Sequence, residues 1–429
     1  MSCNKGHDKL DALAFVSTRG WRTSALHGPS NGQLARFGGR DRLQRGRPTR
    51  FPRVPPPPTA PLLYRTVATA TREYAPVPPP RYRVSPLDFR IHSSRTVGVG
   101  SFGTVYEAEK VVEPESSLPC VAKTVPADRF SGVNLNDALY YFAIERYAND
   151  QVRVCIESGE VAQLRRYTAR YLGHGEHAGR EWLFFQRHPG WTLEEHFRQA
   201  AAAADGDGED FIGRLARALG LVVPPEDADR IKLTRRVFLR VAYDLLQALV
   251  GFSRLGLVHR DMKPANVLID EAAHAVRVLD LGSAAFLSTP RYGAVIGYNA
   301  RWGPADEDYV PPERFIDAKF PHQFDVFSVA MSLLRIIIPG IRDVGHFRRF
   351  SHDFRSTYDT DLGFYASRAF AGQAQHVPEG FVDGLVVLKG EDGLLFELMR
   401  LMLLWRPHSR LSPERALVEL EKIKSRVPA

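Results

Sequence analysis

The stretch GLVHRDMKPANVLID, residues 256–270, sets Asp261, Lys263 and Asn266 close together between two apolar runs. A loop that only turned a corner would favour glycine and small polar residues. Here a carboxylate, an ammonium and an amide are crowded together and followed at once by Val267, Leu268 and Ile269. The pattern predicts a loop anchored in a core, with its polar side chains held for chemistry. Upstream, Phe238, Val241, Ala242, Leu245, Leu246, Leu249 and Phe252 recur at helical spacing, which predicts a long helix leading into the loop. Downstream, NVLID and AVRVLD predict a hairpin that brings Asp280 back beside Asn266. An amide oxygen and a carboxylate converging in this way suit Mg2+, a hard cation that takes oxygen ligands together with substrate phosphates.

Working toward the N-terminus, TVGVGSFGTVYEAEKVV and SLPCVAKTV read as strands joined by turns, DALYYFAIERYANDQV as a helix and REWLFFQR as a further strand. GVGSFGTV sets Gly98, Gly100 and Gly103 in a G-x-G-x-x-G-x-V pattern, in which bare backbone can approach phosphates. A dinucleotide-binding reading needs a helix directly after the glycines. Val105 and Tyr106 argue for a strand instead, and by itself the pattern also fits an ordinary glycine-rich hairpin. Lys123, among apolar neighbours, either points to solvent or aims its ammonium at phosphates with a helix carboxylate behind it. Glu145 is the preferred carboxylate and Glu160 its rival.

The net charge of +8 is unevenly spread. Residues 1–85 hold 15 Lys+Arg against 4 Asp+Glu, leaving 42 basic and 45 acidic residues in 86–429. The folded part therefore gives no compositional case for nucleic-acid binding. Proline runs such as FPRVPPPPTAPLL mark 1–85 as a disordered tail and linker. Its basic, acid-poor start fits either a transit peptide or a basic arm. No run reaches the ~18 apolar residues of a membrane span, although peripheral membrane association stays open. Three scattered cysteines support neither a disulfide framework nor a metal cluster. AAAADGDGED opens a low-complexity insertion at about 199–230, expected on the surface.

In order, GVGSFGTV, VAK, HRDMKPAN and DLG resemble the signature set of the eukaryotic-type protein kinases, over roughly residues 86–425. VPPERF with Glu313, FDVFSVA with Asp325, and RPHSRLSPERAL with Arg410 extend the likeness. The resemblance implies an α+β, two-lobed fold: an antiparallel-sheet N-lobe with one main helix (86–190) and a larger helical C-lobe (191–429). It implies ATP held by Val97, Gly98, Gly100, Ser101, Phe102, Gly103, Val105, Ala122 and Lys123, with Mg2+ on Asn266 and Asp280. Asp261 would accept or orient the proton of a substrate hydroxyl, Lys263 would steady the transferred group and mark Ser/Thr specificity, and Glu145 would hold Lys123. Glu313, Asp325 and Arg410 would be structural. The implied activity is that of an ATP-dependent serine/threonine kinase acting on a protein substrate. The alternative is a pseudokinase scaffold that binds without transfer.

GLVHRDMKPANVLI, VLDLGSAA, HQFDVFSVAMSLLRIIIPGIR and ERYANDQVR look most like the state-transition kinases of chloroplasts. That likeness implies a chloroplast location, with cytoplasm the alternative, and thylakoid light-harvesting or other plastid proteins as substrates. The sequence departs from the subfamily in lacking a membrane-spanning run and an N-terminal cysteine pair.

Overall fold

The computed structural model describes residues 80–426 apart from 101–102, 114–115, 126–134, 203–209, 224–229, 288–304 and 391. Five strands come first: Phe89–Gly100 (β1), Gly103–Glu113 (β2), Ser116–Thr124 (β3), Tyr171–His177 (β4) and Arg180–Gln186 (β5). They form one antiparallel sheet in the order β1-β2-β3-β5-β4. Side chains alternate across a strand, so each strand feeds two faces. One face packs Phe89, Ala108, Cys120, Ala122, Trp182 and Phe184, with Phe89 and Phe184 stacked at 3.9 Å. The other carries Leu183 and Phe185 against Ala138 and Phe142 of the helix Leu135–Glu157 (α1).

The helical lobe is organised on Arg230–Arg254, numbered α4 after Leu193–Ala202 (α2) and Phe211–Ala218 (α3). All seven apolar positions read from the sequence, Phe238 through Phe252, are buried. Against α4 lies Gln323–Ile337 (α5), which is buried on every side, as expected of a helix that is apolar nearly all round. Its buried Arg335 is neutralised by Glu194 at 2.5 Å and donates to the carbonyl of Ile341 at 3.0 Å. Short strands Leu257–Val258 (β6), Val267–Asp270 (β7), Ala275–Val278 (β8) and Ala285–Phe286 (β9) frame the catalytic-type loop. The β7–β8 hairpin pairs Val267 with Val278 and Asp270 with Ala275, as the sequence predicted. Val344–Ser356 (α6), Leu362–Phe370 (α7), Phe381–Lys389 (α8), Leu394–Met402 (α9) and Pro413–Lys424 (α10) complete the lobe.

Two expectations need correction. The stretch 199–230 is not simply an exposed insertion: α3 buries Phe211, Ile212 and Leu215 in the main core. Asp210 caps that helix by accepting N–H bonds from Ile212 and Gly213. The Ala/Asp/Gly run beside it masked a short amphipathic signal. Nor does the linker extend through residue 85, because Val84 and Tyr82 exchange backbone hydrogen bonds with His174 of β4. An unpaired strand edge offers hydrogen bonds to any chain that reaches it.

Arg410 shows how the large lobe is pinned. Its guanidinium donates to Glu313 at 2.8 and 3.0 Å and to the carbonyls of Leu404, Gln323 and Trp405. Removing one partner strands a buried charge, so Arg410→Ala is expected to lower unfolding stability by about 3–5 kcal/mol. Urea unfolding checks this: the midpoint falls while the slope holds.

Candidate active site

Lys123 sits on β3, where its side chain shares a face with Val105 across the ladder and is buried between the lobes. Its Nζ lies 2.7 Å from Glu145 Oε2 of α1 and 3.0 Å from Asp280 Oδ1, just past β8. The choice of Glu145 over Glu160 is thereby decided in geometry: Glu160 is exposed in the turn after α1. Asp280 has a left-handed backbone (φ 57°) and accepts the Gly282 N–H at 3.0 Å. That tight turn swings its carboxylate back to the lysine.

Burial opposes the charge on Lys123, but Asp280 and Glu145 together raise its pKa, so it stays an ammonium. Burial likewise works against ionised Asp280, yet Lys123 holds its carboxyl below the usual range. Glu145 is different: burial pushes it up to about 7 despite Lys123. One cation thus faces two carboxylates, a local excess of negative charge that a divalent cation would relieve.

The loop His259–Asn266 is held from below. Asp325 accepts the N–H groups of His259 at 2.7 Å and Arg260 at 2.9 Å. Burial pushes the His259 pKa down. The neutral ring then donates from Nε2 to the Leu279 carbonyl (3.0 Å) and accepts the Asp261 N–H at Nδ1 (3.3 Å). Arg260, with φ 66°, turns its guanidinium onto the carbonyls of Ser283 and Ala284. In the stretch after Asp280, Ser283 is buried, while Ser288, Thr289, Tyr292 and Tyr298 lie outside the described residues.

Asp261 Oδ2 accepts from Asn266 Nδ2 at 2.9 Å and lies 3.0 Å from Lys263 Nζ. Its Oδ1 is buried and has no hydrogen-bond partner among the described residues. Burial pushes this carboxyl up to about 6, against the pull of Lys263. One oxygen of this carboxylate is thus fixed and the other left without a hydrogen bond. Asn266 spends its amide N–H groups on Asp261 and so presents its oxygen, while its backbone carbonyl takes the Leu279 N–H at 2.9 Å and ties it to the turn carrying Asp280. One amide oxygen and one carboxylate are hard donors that suit Mg2+ shared with phosphates. Among the described residues no group of three or more His, Cys, Asp or Glu could hold a metal unaided.

The glycine segment is the β1–β2 turn, with Gly98 opposite Val105 and Gly100 opposite Gly103. A Cβ on Gly98 would meet nothing within 4 Å, whereas one on Gly103 would press on Thr124 O at 3.0 Å and on the Lys123 side chain. Gly103 therefore lets β2 lie close against the Lys123 side chain. Val97 is half exposed, and Ser101 and Phe102 lie outside the described residues. Ala122 is a correction: it is fully buried on the opposite face with Phe89 and Trp182. The two-residue period of β3 puts Val121, not Ala122, on the side of Lys123.

Sequence reasoning also missed Asp306, whose carboxylate lies 3.6 Å from Lys263 Nζ. Burial works against the Lys263 ammonium, but Asp261 and Asp306 raise its pKa. Nothing in the local pattern ADED marks which acid reaches back across the fold. Asp306→Asn is expected to cost about two- to fivefold in turnover, the worth of a half-exposed pair. It should also move the acid limb of kcat/KM to lower pH, because Asp306 helps keep the Asp261 carboxyl raised. A pH–rate profile of the variant tests both.

The family pattern described as Protein kinase domain matches residues 223–419, so the glycine turn, Lys123 and Glu145 stand outside it. Serine/threonine-protein kinase STN7, chloroplastic, of Arabidopsis thaliana is 24% identical over 343 residues, covering 75% of this chain and 55% of that protein. Serine/threonine-protein kinase STN8, chloroplastic, of the same plant is 22% identical over 325 residues, 67% of this chain and 61% of that protein. The chain thus spans little more than half the length of these curated relatives. A crystal structure of a Stt7 homolog from Micromonas algae, soaked with ATP, superposes with a TM-score of 0.57 at 22% identity, over 78% of this chain and 92% of that one. The fold is accordingly the two-lobed protein-kinase fold.

Proposed function

We propose that this chain, which has the protein-kinase fold and resembles the serine/threonine kinases of the state-transition type, transfers the γ-phosphoryl group of ATP to serine or threonine hydroxyls of a protein substrate. One observation carries the reading: Lys123 is clamped between Glu145 at 2.7 Å and Asp280 at 3.0 Å, in a chain whose Asp261 has one oxygen fixed and the other without a hydrogen bond.

Phosphoryl transfer asks for positioning and charge neutralisation more than for covalent chemistry. Lys123 would fix the nucleotide phosphates, and Lys263 would lie beside the group in flight. Asp261 would orient the acceptor hydroxyl through Oδ1 and take up its proton. Asn266 and Asp280 would hold Mg2+, which supplies neutralisation of phosphate charge when bound. Phosphoryl transfer to a mixture of plastid proteins, assayed with radioactive ATP and Mg2+, tests the proposal. Nucleotide binding with no labelled protein would overturn it in favour of the scaffold.

The location belongs to the same proposal. A chloroplast site, with thylakoid light-harvesting or other plastid proteins as substrates, is supported by the two chloroplastic relatives and by the basic, acid-poor residues 1–85. Those residues lie, but for the last six, outside the described part. A fluorescent fusion to them should enter plastids, and a diffuse cytosolic signal would count for the cytoplasm. Among the described residues no helix is long and apolar enough to cross a membrane.

A further inference from the structure

The segment ahead of β1 is built into the small lobe. Val84 N–H donates to the His174 carbonyl at 2.8 Å and His174 N–H to the Tyr82 carbonyl at 2.9 Å, so the segment pairs with the free edge of β4. The same segment grips α1. Asp150, 1% exposed, accepts the Arg81 N–H at 2.9 Å, and the Tyr82 hydroxyl donates to Glu157 Oε2 at 2.6 Å. The Arg153 guanidinium lies 3.9 Å above the Tyr82 ring and also donates to the Leu172 carbonyl of β4 at 2.8 Å.

Strand β4 is shaped to receive this crossing. A Cβ on Gly173 (φ 143°) would stand 2.6 Å from the Tyr82 carbonyl oxygen, and one on Gly175 would stand 2.8 Å from that of Val84. Asp150, Arg153 and Glu157 share one face of α1 at three- and four-residue spacing. At about 100° per residue these three positions are turned roughly 80–140° from Glu145. The segment therefore holds α1 from a flank other than the one Glu145 turns to Lys123, where it resists rotation or outward swing of the helix.

We propose that residues 81–84 are a strap that positions Glu145, and through it Lys123, by clamping α1 to the edge of β4. The strap makes the paired state of the cleft depend on the last residues of the basic N-terminal region. The proposal rests on the kinase reading and adds a point of control to that site. Tyr82 and Asp150 are positioning residues, since neither touches the reacting groups.

The test uses the full chain with Tyr82→Ala, Tyr82→Phe, the near-isosteric Asp150→Asn, and Leu87→Ala as an exposed control. Hydrogen exchange over residues 135–157 is read without nucleotide, alongside kcat and the KM of the protein substrate. Tyr82→Ala should speed exchange around Glu145 and lower kcat about tenfold, as when the competent fraction falls to about a tenth, and Asp150→Asn, which can still accept the Arg81 N–H, should do so more weakly. KM should hold, Tyr82→Phe should recover most of the loss by keeping its ring under Arg153, and Leu87→Ala should match the wild type. In a Glu145→Gln background, Tyr82→Ala should add less than about twofold, because both changes act through one contact. Folded variants with wild-type exchange and turnover, or full additivity with Glu145→Gln, would overturn the strap. Should the wild-type chain transfer no phosphate, the kinase reading fails, and the exchange arm still decides whether the strap holds α1.

Discussion

Asp261→Asn is expected to lower turnover at least about a hundredfold, the usual worth of a positioned acid or base, while nucleotide binding stays near normal. The amide keeps the shape and can still accept one hydrogen bond, but it cannot take a proton and bonds less well to Lys263. Single-turnover transfer and a nucleotide-induced shift in melting temperature separate the two effects. Near-normal transfer would refute the role. The wild type should show the matching pH dependence. Protonating Glu145 (about 7) loosens Lys123, and protonating Asp261 (about 6) removes the acceptor. Both losses occur as pH falls, so kcat/KM should drop as pH falls through the window from about 7 to 6. Glu145→Gln should keep only the lower step.

Lys123→Met should be more damaging, because it removes a cation that two buried carboxylates share. Loss of a single preorganised electrostatic contact costs about 10²–10³ in rate, and here the helix carboxylate loses its partner as well. Glu145 and Asp280 would then face each other without compensation, and Glu145, 2% exposed, would take up a proton rather than remain charged. The expected signature is loss of transfer and weakened nucleotide binding, with a lower melting temperature that recovers in part at acid pH. The recovery follows because the neutral acid relieves the repulsion. Unchanged stability across pH 5–8 would mean the carboxylates find another cation.

Much of this was legible in one dimension. The helical spacing of Phe238 to Phe252, the hairpin that returns Asp280, and the crowding of Asp261, Lys263 and Asn266 are local patterns, and the structure places them as read. Local pattern erred where two faces of one strand had to be told apart, as at Ala122, and where biased composition hid a short helix at 211–218.

The sequence by itself determined which groups this protein owns and the short-range periods that arrange them, because helix and strand repeats are written in neighbouring residues. Only the tertiary structure decided that Glu145 rather than Glu160 meets Lys123, that Asp306 reaches Lys263, and that residues 81–84 lie along β4. Each of these is a contact between segments far apart in the chain. Such contacts depend on how whole elements pack, and packing is set by the summed burial of many side chains, so no single stretch spells it out.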